Sequence, residues 1–323
     1  MDSRIVTVVG AVVVIPIILI AYLVLTDRLV AALPRRWQPR VRPYLWILPA
    51  VGFATVFMVV PTINTIFLSF LDRKSENFVG LANYIYFFTN PGTLGSIKNS
   101  VLWLVFFTGG VVIGGLLIAV LFDRVRYESA AKLAVFLPLP ISAVAASIIW
   151  KFMFEYQPPG QVQTGTLNAL IGVVGLGPVA WLVESSTNNP ALIFVGIWIS
   201  TGFAMVIISS ALKAISPELL EAARLDGASE VQVLRTVIVP LLLPTLTVIT
   251  TTMVITALKV FDIVYVLTGG AFDTDVIASQ MFSQLAGAGH YGRASAVGVI
   301  LLISIIPLLV INVRRFRREE QIR

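Results

Sequence analysis

Long apolar runs separated by shorter polar segments dominate this sequence. Seven of the runs are long enough to cross a bilayer as helices, which takes roughly 20 residues each. The predicted spans are residues 5–25, 44–70, 99–122, 133–154, 191–213, 245–267 and 294–313. The pattern therefore predicts an all-α transmembrane protein.

Composition agrees with the pattern and excludes several classes of site. Hydrophobic residues make up 57% of the chain and charged residues 12%, whereas soluble domains carry about 25% charged residues. There is no cysteine, and the single histidine is His290. Disulfide frameworks, thiol catalysis and cysteine-based metal sites are therefore excluded, and we predict no metal site. The net charge of +6 lies mostly beside apolar segments, which predicts contact with a lipid bilayer and no nucleic-acid partner.

The distribution of basic residues predicts the orientation in the membrane. They concentrate after the first span (Arg28, Arg35, Arg36, Arg40, Arg42), after the third span (Arg124, Arg126, Lys132) and near the C-terminus (Arg314, Arg315, Arg317, Arg318, Arg323). The positive-inside rule places all three groups in the cytoplasm. Seven alternating spans then require an outside N-terminus, an inside C-terminus, and external loops at about 71–98, 155–190 and 268–293. The last external loop contains Asp273 and Asp275.

The predicted cytoplasmic loop 213–244 contains a short helix that does not span. Ser216 can cap its start, Pro217 suits its first position, and Gly227 can end it in a left-handed conformation. Ser229 can then cap a second helix, which leads into the next span. Physical arguments alone leave two interpretations open: an amphipathic helix in the lipid headgroups, or a docking element for a partner protein.

The residues of this loop resemble a known motif. Glu221-Ala222-Ala223, then Gly227, then Val237-Ile238-Val239-Pro240 are similar to the EAA motif of ABC importer permeases. The spacing is intact, with Val237 and Val239 in place of the usual Ile and Leu. In that family the motif forms the coupling helix, which fits a cleft on the ATP-binding subunit. The resemblance implies that Glu221, Ala222, Ala223, Asp226 and Gly227 couple the chain to an ATPase.

Further segments extend the resemblance over about residues 44–313. They are Gly80-Leu81-Ala82-Asn83-Tyr84, Phe136-Leu137-Pro138, Trp150-Lys151-Phe152, Gly165-Thr166-Leu167-Asn168, residues 261–270 and Tyr291-Gly292-Arg293-Ala294-Ser295-Ala296. Their order is that of carbohydrate-importer permeases, and residues 123–128, 223–231 and 259–264 are most similar to the α-glucoside branch. One departure is Gly269-Gly270-Ala271, where the family usually has Gly-Gly-Pro.

The resemblance implies both architecture and partners. We expect an ABC permease core of six helices in residues 44–323, preceded by one extra transmembrane helix and a basic cytoplasmic linker in residues 1–43. The expected function is sugar import by alternating access in a bacterial or archaeal inner membrane. Expected partners are a second homologous permease, an ABC ATPase dimer and an extracytoplasmic sugar-binding protein. No G-x-x-x-x-G-K-[ST] motif is present, so we predict that this chain is not an enzyme and binds no cofactor, with ATP and Mg on the partner ATPase.

Two charged residues of the sixth predicted span attract attention. Lys259 and Asp262 are three residues apart, so one helix would carry both on one face. Charges inside a membrane indicate an ion pair or a transport pathway, and we favour a structural ion pair. Sugar sites need aromatic faces and hydrogen-bonding groups. The candidates for the pathway are Trp150, Trp198, Thr201, Asn64, Ser142, Lys259, Asp262 and Tyr265, although tryptophan and tyrosine are also ordinary interfacial anchors.

Two other classes of function remain alternatives from sequence. An ion-coupled secondary transporter needs no cytoplasmic docking helix and usually carries charged relays in its spans. A membrane-embedded enzyme needs catalytic groups that this chain lacks. The resemblance favours an α-linked glucoside such as maltose, trehalose or sucrose as the substrate, and it leaves a polyol or a glycerol conjugate open.

Overall fold

The computed structural model describes the backbone of residues 3–123 and 125–322. Its helices in chain order are α1 (Ser3–Ala31), α2 (Gln38–Leu68), α3 (Ala82–Thr89), α4 (Pro91–Phe122), α5 (Glu128–Phe136), α6 (Ala143–Met153), α7 (Thr166–Val173), α8 (Asn188–Lys213), α9 (Pro217–Leu225), α10 (Glu230–Leu258), α11 (Asp262–Leu267), α12 (Ile277–Phe282) and α13 (Tyr291–Ile322). Within these residues no strand forms, and one isolated antiparallel bridge joins Leu71 to Phe78. The predicted all-α class is confirmed.

Five helices in the described part of the chain are long and apolar enough to cross a membrane. They are α2, α4, α8, α10 and the segment Tyr291–Ile311 of α13. The first predicted span lies in α1, where the side chains of residues 1–11 are outside the described part. Arg124, Arg323 and the side chains of residues 312–322, among them the C-terminal arginines, are outside it as well. The arrangement of six core spans plus one therefore stays a prediction.

The fourth predicted span, 133–154, is wrong as one continuous helix. It forms two short helices, α5 and α6, separated by Leu137–Ser142. Pro138 and Pro140 explain the break, because proline has no N–H to donate and disfavours helical backbone in the residue before it. Helix α6 has 11 residues and is therefore roughly 16 Å long, about half the thickness of the hydrocarbon core.

The sixth predicted span, 245–267, also has different bounds. Helix α10 begins at Glu230 and ends at Leu258, and residues 259–261 leave the helix before α11. A π-helical turn at Leu234–Ile238 precedes Pro240, and its wider spacing lets the helix continue past a residue that has no N–H. The loop predicted to be cytoplasmic is consequently shorter than 213–244, because α8 ends at Lys213 and α10 starts at Glu230. In the same way, the predicted external loop 71–98 loses its last residues to α4.

The chain forms two compact units, Met1–Phe67 and Leu68–Arg323. In the first unit, the Tyr22 hydroxyl donates to the Leu45 carbonyl oxygen at 2.6 Å, which joins α1 to α2. In the second unit, α4 and α8 pack closely: a Cβ on Gly115 would lie 2.7 Å from the Cβ of Ala204. Such close approach stabilises helix pairs in lipid, where apolar burial alone gives little driving force.

Candidate functional site

The loop between α8 and α10 contains a short helix, α9, with a well-formed C-terminus. Gly227 has φ +84°, a left-handed conformation that glycine adopts without steric strain. Its N–H donates to the Arg224 carbonyl at 3.0 Å, and the Ala228 N–H donates to the Ala223 carbonyl at 3.1 Å. These two bonds form a Schellman motif, which satisfies carbonyls at the helix end. The predicted helix and its glycine ending are confirmed.

The two serines of this loop behave differently. The Ser229 hydroxyl accepts from the Gln232 N–H, and the Gln232 side chain accepts from the Ser229 N–H at 2.7 Å, which makes a capping box at the start of α10. Ser216 occupies the N-cap position of α9 as predicted, but its side chain makes no cap bond to the helix. Its hydroxyl bonds to the Glu218 carboxylate instead, and this bond holds the pKa of Glu218 below its usual range.

Helix α9 has one packed side and one open side. Leu220 and Ala223 are half-buried against the apolar core of the second unit. Glu221 and Ala222 are exposed, and the side chain of Leu225 is 87% exposed. Positions 221, 222 and 225 lie on one strip of a helix. A carboxylate, a methyl group and an apolar side chain therefore form a surface that a partner protein can bind.

An ion pair links this surface to the next long helix. Arg224 Nε lies 3.0 Å from Glu230 Oε1, which joins the last turn of α9 to the first residue of α10. Both side chains are more than a third exposed, so the pair adds little to stability. The pair matters more for geometry, because it closes the turn that contains Asp226 and Gly227.

A cavity of about 280 Å³ lies at the break between α10 and α11. Its lining residues come from five helices and the break itself: Trp103, Phe107, Ala143, Gly196, Ile199, Ser200, Ile255, Thr256, Ala257, Lys259, Val260, Phe261, Asp262 and Ile263. The wall is mostly apolar and carries a few polar groups, the composition usual for small-molecule sites. Its volume is near the lower end of the roughly 300–1,000 Å³ range for such sites.

Two predicted pathway residues, Lys259 and Asp262, line this cavity. The prediction that one helix carries both residues on one face is wrong. Lys259 directly follows the last residue of α10, and Asp262 is the first residue of α11. The favoured ion pair is absent as well: among the described residues, neither side chain takes part in a salt bridge. Because the helix is interrupted at residues 259–261, Lys259 and Asp262 do not share one helical segment. A cation and an anion therefore line the same cavity without forming a pair.

The other pathway candidates have varied surroundings. Trp150 is buried and its ring lies 5.5 Å from that of Trp198 in an edge-on contact. The Thr201 hydroxyl donates to the Ile197 carbonyl at 2.7 Å within α8. Ser142 caps α6 by accepting from the Ala145 N–H at 3.2 Å. The remaining two, Tyr265 and Asn64, are exposed: the Tyr265 ring stacks on Phe261 at 5.1 Å, and Asn64 lies on α2 in the first unit.

Sequence reasoning missed several residues of the cavity wall, chiefly Trp103, Ser200, Thr256 and Phe261. Trp103 is 1% exposed, and its indole N–H has no hydrogen-bond partner in the described structure. A buried donor without a partner is costly unless a ligand or water accepts its bond. In the sequence, the charged residues Lys259 and Asp262 were the strongest indication of a site. Trp103 lies within a long apolar run, and nothing in that pattern indicated that it would line a cavity.

Buried asparagines hold the predicted external loops in place. Asn168 donates to the Glu155 and Val179 carbonyls at 2.9 and 3.1 Å and accepts from the Trp181 indole N–H at 3.1 Å. Asn99 donates to the Asp273 carbonyl at 2.6 Å. Asn168, which lies in the segment 165–168 that resembles the permease family, therefore has a structural role.

Two further segments of the resemblance, 80–84 and 291–296, lie close together. Asn83, from the segment 80–84, donates to the Ser69 and Leu71 carbonyls at 2.9 and 2.7 Å. Arg293, from the segment 291–296, places its guanidinium 3.5 Å from the ring centroid of Tyr86, a cation–π contact. These two segments therefore pack beside each other.

Residues 110–318 match the family described as the binding-protein-dependent transport system inner membrane component. The chain belongs to this family. It is 49% identical over 279 residues to the osmoprotective compounds uptake permease protein GgtC of Synechocystis sp., which covers 86% of this chain and 100% of that protein. It is 40% identical over 281 residues to the α-glucoside transport system permease protein AglF of Rhizobium meliloti, covering 87% and 84%.

A solved structure supports the fold of this inner membrane component. The chain matches a bacterial ABC transporter for import of the acidic polysaccharide alginate with a TM-score of 0.74 at 23% identity, over 88% of this chain and 99% of that one. The predicted resemblance to ABC importer permeases is confirmed, and the protein is a multi-pass component of the inner membrane. Both of these relatives are named as permease proteins.

Proposed function

We propose that this inner membrane component is the permease subunit of an ATP-driven sugar importer with α-glucoside substrates. The observation that carries the proposal is the exposed strip of α9, where Glu221 and Ala222 face outward. The Arg224–Glu230 pair joins the C-terminal end of this helix to the first residue of the long helix α10, so a displacement of α9 would act on α10. A separate ATPase dimer with ATP and Mg binds this strip in the proposed complex.

The cavity at the α10–α11 break is the proposed part of the sugar pathway in this chain. Phe261 and Trp103 offer apolar faces for the CH surfaces of a sugar ring. Lys259, Asp262 and the Trp103 indole offer two donors and an acceptor for its hydroxyl groups. The cavity suits about one ring, so a disaccharide would extend toward the second, homologous permease subunit. Alternating access requires the loaded binding protein and ATP to favour different conformations.

The names of two relatives support the proposed substrate class. AglF carries the name of an α-glucoside permease, and the 49% identical relative is named for osmoprotective compounds. Trehalose and sucrose belong to both descriptions, because they are α-linked glucosides and neutral osmolytes. A polyol or a glycerol conjugate is the second candidate, because such osmolytes also fit the description of the 49% identical relative as a permease for osmoprotective compounds.

The proposed orientation places the N-terminus outside and α9 in the cytoplasm. Five arginines between the last turn of α1 and the second turn of α2, with Arg126 and Lys132 after α4, support it through the positive-inside rule. In this orientation the external loops include the segments whose carbonyl groups accept hydrogen bonds from Asn99 and Asn168. These loops are the proposed docking surface for the extracytoplasmic binding protein.

Uptake by the reconstituted importer tests the function. Proteoliposomes that contain this chain, the second permease and the ATPase dimer receive internal ATP and external binding protein. The proposal expects accumulation of radiolabelled trehalose or sucrose that stops when the ATPase is omitted. Uptake that persists without the ATPase and follows an ion gradient would support a secondary transporter instead. Uptake of a glycerol conjugate alone would reassign the substrate and leave the importer mechanism intact.

A further inference from the structure

The hairpin of α1 and α2 concentrates positive charge at one end. Five arginines lie between the last turn of α1 and the second turn of α2: Arg28, Arg35, Arg36, Arg40 and Arg42. The same stretch of sequence contains one acidic residue, Asp27. The end of the hairpin therefore carries a strong net positive charge.

One arginine is engaged within the hairpin and four are open. Arg42 Nη2 lies 3.3 Å from Asp27 Oδ1, and its guanidinium lies 5.8 Å from the ring centroid of Trp46. Arg28, Arg35, Arg36 and Arg40 are exposed, and none of them pairs with an acidic residue in the described part of the chain. Four guanidinium groups are therefore available to an anion.

A shallow apolar groove of about 530 Å³ runs along α1 to one of these arginines. Its lining is Ile17, Ile20, Ala21, Val24, Leu25 and Arg28. The spacing of three and four residues places them on one helix face. From Ile17 to Arg28 the helix rises roughly 16 Å, close to the roughly 15 Å of hydrocarbon in one leaflet. When the apolar part lies at acyl-chain depth, Arg28 lies at headgroup depth.

Aromatic side chains around the arginines agree with that depth. Trp37, Tyr44 and Trp46 are 48%, 77% and 49% exposed, and all three lie between the end of α1 and the third turn of α2. Exposed tryptophan and tyrosine rings are enriched at the boundary between hydrocarbon and headgroups. The groove, the arginines and the rings thus agree on one interfacial position.

We propose that the α1–α2 hairpin binds an anionic phospholipid. One acyl chain lies along the groove from Ile17 to Leu25, and the headgroup phosphate contacts Arg28. Arg35, Arg36 and Arg40 raise the local potential and favour a headgroup with net negative charge over a zwitterionic one. The hairpin is then a lipid anchor whose function is separate from the sugar pathway and from α9.

Native mass spectrometry of the detergent-purified transporter tests the proposal with two probes, phosphatidylglycerol and phosphatidylcholine of equal chain length. An arginine near a charged membrane surface contributes about fivefold in affinity. We expect wild type to retain phosphatidylglycerol preferentially and Arg28→Gln to lower its affinity about fivefold, with phosphatidylcholine unaffected. Arg28→Lys should keep most of the preference, and Lys74→Gln, an exposed charge on the second unit, should leave it unchanged.

A variant in the groove distinguishes the binding of a lipid from the binding of a simple anion. Ala21→Phe fills the groove without changing charge, and it should weaken both lipids to a similar degree. The proposal is overturned if wild type binds both lipids equally, if Arg28→Gln behaves as Lys74→Gln does, or if inorganic phosphate displaces phosphatidylglycerol as effectively as a second lipid does. In each of these cases the arginines serve only to set membrane orientation.

Discussion

Gly292 lies directly against the side-chain amide of Asn83. A Cβ on Gly292 would stand 2.7 Å from Asn83 Nδ2 and 2.0 Å from the Leu71 carbonyl oxygen, the same oxygen that accepts a bond from Asn83. The contact explains why the two resemblance segments 80–84 and 291–296 carry these residues. A bare backbone at position 292 lets the start of α13 pack against the chain that follows α2.

Replacing Gly292 by alanine should destabilise the permease. The methyl group would overlap backbone atoms that cannot rotate away, and overpacking of this kind costs about 1–3 kcal/mol or more. The measurement is the melting temperature of the purified chain, which should fall by several degrees. Gly95→Ala is the matched control, because a Cβ there meets nothing within 4 Å. Equal melting temperatures for the two variants would contradict the packing argument.

Asn168→Ala should open the loop between α6 and α8. Asn168 is 1% exposed, and its loss leaves the Glu155 and Val179 carbonyls and the Trp181 indole N–H without this partner. Each buried group left unpaired costs about 1–3 kcal/mol. The check is the rate of proteolysis in residues 155–187, which should rise at least tenfold. Gln161→Ala, an exposed position in the same loop, is expected to cleave at the wild-type rate, and a shared rate would refute the assignment.

Stability should decline with rising pH through the titration of Asp275. Burial raises the pKa of this carboxyl above its ordinary value, although bonds to Ser279, Gln280 and the Val276 N–H oppose the shift. A carboxyl with the higher pKa in the fold binds its proton more tightly there, so the fold is favoured at low pH and loses stability as the pH rises through that pKa. Melting temperatures from about pH 4 to pH 7 should fall more steeply for wild type than for Asp275→Asn. Parallel curves would show that Asp275 does not contribute.

Asp262→Asn should weaken sugar transport without unfolding the permease. Asp262 is exposed to the cavity and forms no ion pair among the described residues, so its charge is available to sugar hydroxyls. A hydrogen bond to a charged group is worth about 1.5–3 kcal/mol, which corresponds to a rise in KM of roughly 10- to 100-fold. Uptake kinetics measure the change, with Asp123→Asn, an exposed carboxylate at the end of α4, as the control. An unchanged KM for Asp262→Asn would remove this residue from the pathway.

The local features of this chain were predictable where single residues decide them. Gly227 and Ser229 allowed the end of α9 and the start of α10 to be predicted, because glycine favours left-handed backbone and a serine hydroxyl can accept a bond from the first turn of a helix. The long spans α4 and α8 followed from their uninterrupted apolar runs. In each case the controlling interaction is local in sequence.

Features that depend on competing interactions were harder to predict. Pro138 and Pro140 break the span 133–154, whereas Pro240 and Pro244 lie in the continuous helix α10, so proline alone does not identify a helix end. The break at 259–261 contains no glycine or proline, and it separated Lys259 from Asp262. The cavity wall depends on Trp103, which only the packing of α4 against α8 and α10 brings there.

The coupling role of α9 is the central claim, and sugar-stimulated ATP hydrolysis tests it most directly. The complete transporter is reconstituted with its binding protein, and Glu221→Lys is compared with wild type and with Glu184→Lys, a control on the predicted external surface. The account predicts that all three assemble with the ATPase, and that only Glu221→Lys loses stimulation by the loaded binding protein, by about tenfold or more (a loss of at least 1.4 kcal/mol of coupling). Normal stimulation and transport by an assembled Glu221→Lys transporter would contradict it.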